Sequence, residues 1–135
     1  MRCRTPGVMV AAVLMLLVGA AAAPAVERAV PAALPCDNIA HLPTSDGHAR
    51  AKAAVQRVGG GCGNATVEIA VWADLSLRPD ERIAYNKQFF SQGFLHAAGA
   101  CFNGFAHVRG IYTEMYVNGQ KVAESGRAQL PGCVA

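Results

Sequence analysis

The sequence carries few of the patterns by which chemistry is usually recognised. Its four histidines (His41, His48, His96 and His107) form no H-E-x-x-H or H-x-H pair. No serine sits in a G-x-S-x-G turn. No C-x-x-C occurs, which argues against a zinc knuckle or a dithiol redox centre. Gly59-Gly60-Gly61-Cys62-Gly63 is glycine-rich, but it leads into a strand-like segment. Phosphate-cradling loops instead leave a strand and open a helix. A metal site built from His96, His107 and an acid would need more coincidences than a satisfied structural histidine, so no metal and no cofactor is expected.

Charge is sparse too. Only 16% of residues are charged and 7% are aromatic, with a single tryptophan. The formal charge of +3 includes Arg2 and Arg4 at the start of the chain; without them the 12 Lys/Arg fall to 10 against 9 Asp/Glu. No basic run remains, so a phosphate-tracking nucleic-acid surface has no support. High apolar content with near-zero net charge also excludes a disordered chain.

One long apolar run is present, Val8 to Ala23, behind the basic start Met1-Arg2-Cys3-Arg4. Basic, apolar and small-residue segments in that order predict a secretory signal peptide over residues 1–25, cleaved after Ala25 at Ala23-Pro24-Ala25. The run of about 16 residues is short of the roughly 20 needed to span a bilayer. What would remain is about 110 residues, the size of one domain with a modest core. The expected organisation is an extended, Pro-containing lead-in over 26–43 and a single domain over 44–135. The expected compartment is extracellular or periplasmic.

Cys36, Cys62, Cys101 and Cys133 lie beyond the predicted cleavage point, an even number in a short exported chain. The favoured pairing is Cys36–Cys62 with Cys101–Cys133, each bracketing a local unit. Each loop would stabilise the fold by roughly 3–4 kcal/mol in the chain-entropy picture.

Along the chain, Thr44-Ser45-Asp46 offers helix caps. Ala51, Ala54, Val55 and Val58 then fall at helical spacing before the triple glycine, predicting a helix over 47–58. Thr66 to Leu75 alternates, with Val67, Ile69, Val71 and Ala73 on one side and Glu68, Ala70, Trp72 and Asp74 on the other, as a half-buried strand does. Pro79, Asp80 and Glu81 resemble a helix start. Ile83, Phe90, Phe94, Ala97 and Cys101 follow on one stripe, predicting a second helix over 80–100, broken near Gly93; Ile83 to Lys87 also reads as strand. His107–Val117 and Gln120–Ala123 flank Asn118-Gly119, the dipeptide of a tight hairpin turn. The turn predicts Val117 opposite Gln120, Met115 opposite Val122 and Thr113 opposite Glu124 on the core side. Tyr116 faces Lys121, Glu114 faces Ala123 and Tyr112 faces Ser125 on the other. The order α-β-α-β-β predicts a small α+β two-layer sandwich with a three-stranded antiparallel or mixed sheet, stapled by two disulfides.

In that arrangement Trp72, Asp74, Tyr112, Glu114, Tyr116 and Lys121 share the helix-free sheet face. Tryptophan and tyrosine anchor many interfaces because they bury much area and keep a polar tip, although they are also ordinary strand residues. A secondary candidate face on the long helix carries Tyr85, Phe89, Gln92 and His96. The function expected from these features is that of an exported binding protein of the inhibitor, immunity or envelope-accessory kind, more in keeping with the residues than an enzyme. Its partner would be another protein or a small ligand, and the free hairpin edge offers a route to a homodimer. The alternative is a small exported hydrolase, with Asp74 or Glu114 working with a histidine. Asn64-Ala65-Thr66 forms a glycosylation sequon.

Overall fold

The arginine- and alanine-rich segment after the proline lead-in is a strand, and it organises one half of the molecule. A computed structural model describes residues 23–24 and 32–134. The predicted cleavage point after Ala25, the signal peptide apart from residues 23–24, and residues 26–31 of the lead-in lie outside the described residues. Ala32–Ala135 forms one compact unit.

The strands run β1 (Asp37–Ala40), β2 (Thr44–Ser45), β3 (Arg50–Val58), β4 (Ala65–Leu75), β5 (Glu81–Phe90), β6 (Gly93–Ala100), β7 (Val108–Val117) and β8 (Gln120–Glu124). No helix occurs among the described residues, and none there is long and apolar enough to cross a membrane. The α+β expectation is therefore overturned. The described residues form two four-stranded antiparallel sheets. In the first, β1 and β2 follow one another along one edge of β3 while β6 pairs with its other edge. The second has the order β5-β4-β7-β8.

Both helix predictions failed for the same reason. In β3 the buried residues are Ala51, Ala53, Val55 and Arg57, a period of two. Alanine is small enough to stand on either face, so Ala51, Ala54, Val55 and Val58 also satisfied a helical stripe. Pairing with β1, β2 and β6 decided the outcome, because sheet context overrides a helix preference of a few tenths of a kcal/mol per residue. The predicted helix over 80–100 is β5, a turn at Ser91-Gln92, and β6. Gly93 takes a φ of 128°, which releases the chain into the new strand. At Gly99 a Cβ would lie 2.0 Å from the Ile83 carbonyl oxygen, so β5 and β6 approach as only glycine permits.

The strand predicted over 66–75 is β4, with the expected alternation: Val67, Ile69, Val71 and Ala73 are fully buried between the sheets. Ile111 and Met115 of β7 meet them from one side, and Val55, Leu95 and Ala97 from the first sheet. The hairpin turns at Asn118 and Gly119, both at positive φ. Tyr116 pairs with Lys121 and Val117 with Gln120, as predicted. Beyond Tyr116 a bulge shifts the register, so Met115 opposes Ala123 and Glu114 opposes Glu124. Had the register run on, the Glu124 carboxylate would have faced the core. The bulge turns it outward and leaves Val122 exposed in its place.

Both predicted disulfides are present, Cys36–Cys62 and Cys101–Cys133, with Cα–Cα separations of 4.8 and 4.9 Å. The first ties the entry to β1 onto the β3–β4 turn. Arg57 is buried beside it. It donates to Asn38 Oδ1 at 3.2 Å and to the carbonyls of Gly63 at 2.8 Å and Phe90 at 3.3 Å. It forms no ion pair among the described residues.

Candidate functional site

Two outer sheet faces compete as functional surfaces. The outer face of the second sheet holds the residues singled out in the sequence. Register places Trp72 beside Tyr112, Ala70 beside Glu114 and Glu68 beside Tyr116, with Lys121 across from Tyr116. All six predicted binding residues, Trp72, Asp74, Tyr112, Glu114, Tyr116 and Lys121, thus lie on one face. They do not form an open aromatic patch. Tyr112 is only 6% exposed, covered by the Arg127 guanidinium 4.1 Å from its ring centroid.

The polar groups of this face are largely spent on one another. Asp74 accepts from Arg109 Nε at 2.9 Å and from Arg127 Nε at 3.2 Å. Glu114 accepts from the Tyr116 hydroxyl at 2.6 Å and from Lys121 Nζ at 3.0 Å. Glu124 accepts from Lys121 at 2.9 Å and Arg127 at 2.7 Å. Tyr112 donates to Asp80 at 2.7 Å, and Tyr85 donates to Glu68. All three tyrosines of the chain therefore rest on carboxylates, and each phenol is shifted upward. For Tyr85 the hydrogen bond to Glu68 dominates. For Tyr116 the bond to Glu114 dominates and the value reaches about 12. For Tyr112 burial leads and the bond to Asp80 adds. Glu124 is pushed down, first by its bond to Lys121 and then by that to Arg127. What stays open is a shallow pocket of about 270 Å³ between Trp72, Arg82, Tyr85 and Tyr116. The Trp72 indole Nε1 is buried and has no hydrogen-bond partner among the described residues.

The hydrolase alternative needed a histidine at Asp74 or Glu114. Neither acid hydrogen-bonds a histidine among the described residues; their partners are the arginines, lysine and tyrosine just given. His107 is exposed ahead of β7, where its carbonyl accepts from the Ser76 amide at 2.9 Å. The secondary face is dispersed with the helix that would have carried it. Tyr85 and Phe89 lie on the outer side of β5, Gln92 occupies the β5–β6 turn, and His96 faces out from the first sheet.

The outer face of the first sheet was not singled out, and it is built differently. Residues that β3 turns outward are Lys52, Ala54 and Gln56, with Ala98, His96 and Phe94 of β6 opposite them in turn. Thr44 of β2 flanks Lys52 from the other edge. Ala54 and Ala98, diagonal neighbours across the β3–β6 pairing, lack the side chains that would fill such a face. His41 and Leu42, where the chain leaves β1, stand up beside them. The result is a concave groove of about 660 Å³, lined by Leu42, Ala54 and Ala98 with His41, Lys52 and His96. Phe94, about half exposed, stands beside it with its ring stacked against those of His41 and His96, both centroid distances 6.0 Å. His41 Nε2 lies 3.2 Å from Gln56 Oε1, which fixes that imidazole at the groove wall. Volume and mainly apolar lining are those of a small-ligand site. A signal existed in the sequence: the small residues Ala54 and Ala98 among the outward positions of paired strands leave a hollow, but only once the strand period is known.

Comparisons with protein-family models, with curated proteins and with solved structures find no match to this chain.

Proposed function

We propose that this protein is an exported binding module whose ligand lies in the groove of the first sheet. The single observation that carries the reading is the groove itself: an alanine-floored hollow of about 660 Å³ flanked by an exposed phenylalanine on a sheet face that could have been closed by larger side chains. Two disulfides point to a compartment outside the reducing cytosol, and the signal-like start of the chain agrees with export. The rigid frame supports the reading too. A stapled sheet presents its face with little ordering cost on binding.

The second sheet's outer face serves this module as a structural clasp, since its charged groups already hold one another. The test is an amide-shift titration of the disulfide-intact protein with decan-1-ol below its solubility limit. Shifts centred on Ala54, His96 and Ala98, lost in an Ala98→Trp variant that keeps a dispersed spectrum, are expected. Shifts absent there, or unchanged in the variant, overturn the reading.

A further inference from the structure

The groove's charge is unbalanced, and the imbalance names its ligand. Its floor is apolar, formed by Ala54 and Ala98. Its rim carries the Lys52 ammonium, the Thr44 hydroxyl beside it in register, and the imidazoles of His41 and His96. No carboxylate lines it among the described residues. Lys52 makes no ion pair among the described residues. Asp46, in the turn between β2 and β3, is held by Arg50 at 3.5 Å and by the His48 amide at 3.1 Å. The acids Glu68, Asp74, Glu114 and Glu124 lie on the opposite sheet, each paired with at least one cation there.

A lone cation at the mouth of an apolar hollow draws anions, because low-dielectric walls weaken the screening that water provides. We infer that the groove takes an amphiphilic carboxylate: an apolar chain or ring lying over Ala54 and Ala98, with its acidic head at Lys52 and the Thr44 hydroxyl. Lysine suits this role as a compact point charge with three donors on a flexible stem, able to meet a carboxylate at the rim. The stem covers part of the apolar wall when the head is engaged. Phe94, stacked against both imidazoles, adds exposed aromatic surface beside the hollow. This inference rests on the groove being the binding site, and it adds the ligand's charge and shape.

The experiment extends the same titration to three matched probes, decanoate, decan-1-ol and decyltrimethylammonium, each below its aggregation threshold, on the full disulfide-bonded chain. Decanoate is expected to shift the amides around Ala54, His96 and Ala98 and to bind about tenfold more tightly than the alcohol. The cationic probe is expected to bind most weakly. Lys52→Met, which keeps the stem and removes the charge, should erase the advantage of decanoate, and raised salt should do the same in the native protein. Equal binding of all three probes, or an advantage that survives Lys52→Met, overturns the anionic ligand while leaving the groove as a binding site. Shifts by no probe, or shifts confined to other surfaces, overturn both.

Discussion

The guanidinium of Arg127 lies 4.1 Å from the centre of the Tyr112 ring while its Nε reaches Asp74 and its Nη1 reaches Glu124. One side chain thereby joins the segment after β8 to β4 and β7. Arg127→Ala removes the ring contact and two partly exposed ion pairs, and Arg109 still neutralises Asp74. The expected loss is about 1–2 kcal/mol, read as a lower midpoint in urea unfolding. An unchanged midpoint would mean that the clasp is ornamental to stability.

Arg57 is the buried cation without a charged partner among the described residues, and its planar fork spreads donors over three groups on separate segments. Arg57→Lys keeps the charge and loses that reach, leaving carbonyls of Gly63 and Phe90 unserved. A cost of about 2–4 kcal/mol is expected in chemical denaturation with both disulfides intact. A lysine variant as stable as the native protein would show that the fork is dispensable.

The tyrosines predict the alkaline limb of the stability curve. All three have phenols raised above 10.0 in the folded state, Tyr116 to about 12. A raised group holds its proton more tightly when folded, so its contribution is complete below the unfolded value and is lost as pH climbs through the folded one. Stability should stay level up to about pH 10 and fall above it. Phenolate absorbance of the native protein should rise later than that of the urea-unfolded chain. Superimposable titrations would contradict the carboxylate pairing of all three rings.

On the acid side the sign reverses. Glu124 is depressed below 4.5 by Lys121 and then Arg127, so what it contributes is present above that value and fades as pH falls through its folded one. In Glu124→Gln the unfolding midpoint should depend less on pH below about 4.5 than in the native protein.

Gly99 tests the seam between the sheets. A methyl group there would press on the Ile83 carbonyl and on Ala84 Cβ at 3.1 Å. Gly99→Ala should cost about 2–3 kcal/mol by forcing β5 and β6 apart, measured against Gly63→Ala, where nothing lies within 4 Å.

The legible parts of the fold were those with strong local grammar. In β4 the large apolar residues alternate with Glu68, Trp72 and Asp74, and no helical reading fits them. Asn118-Gly119 announced its turn through the positive φ it needs. The shared face of Trp72, Tyr112 and Tyr116 followed from those two elements on the condition that they share a sheet, as β4 and β7 do. Its burial did not, because the covering arginine comes from a segment without regular structure. The groove was illegible for a different reason. It consists of what Ala54 and Ala98 leave out, and alanine carries no periodic mark of its own.

By itself the sequence determined the strand β4 and the β7–β8 turn, since each rests on residues near in the chain or on a forced backbone conformation, and it favoured, without fixing, the cysteine pairing that the structure shows. The tertiary structure decided that Arg50–Val58 and Glu81–Ala100 are strands rather than helices, and so that there are two sheets. The physical reason is that a strand's hydrogen bonds are satisfied by its neighbours. In segments of alanine, glycine and mixed charge the local preference is weak, and the partner strands supply the choice.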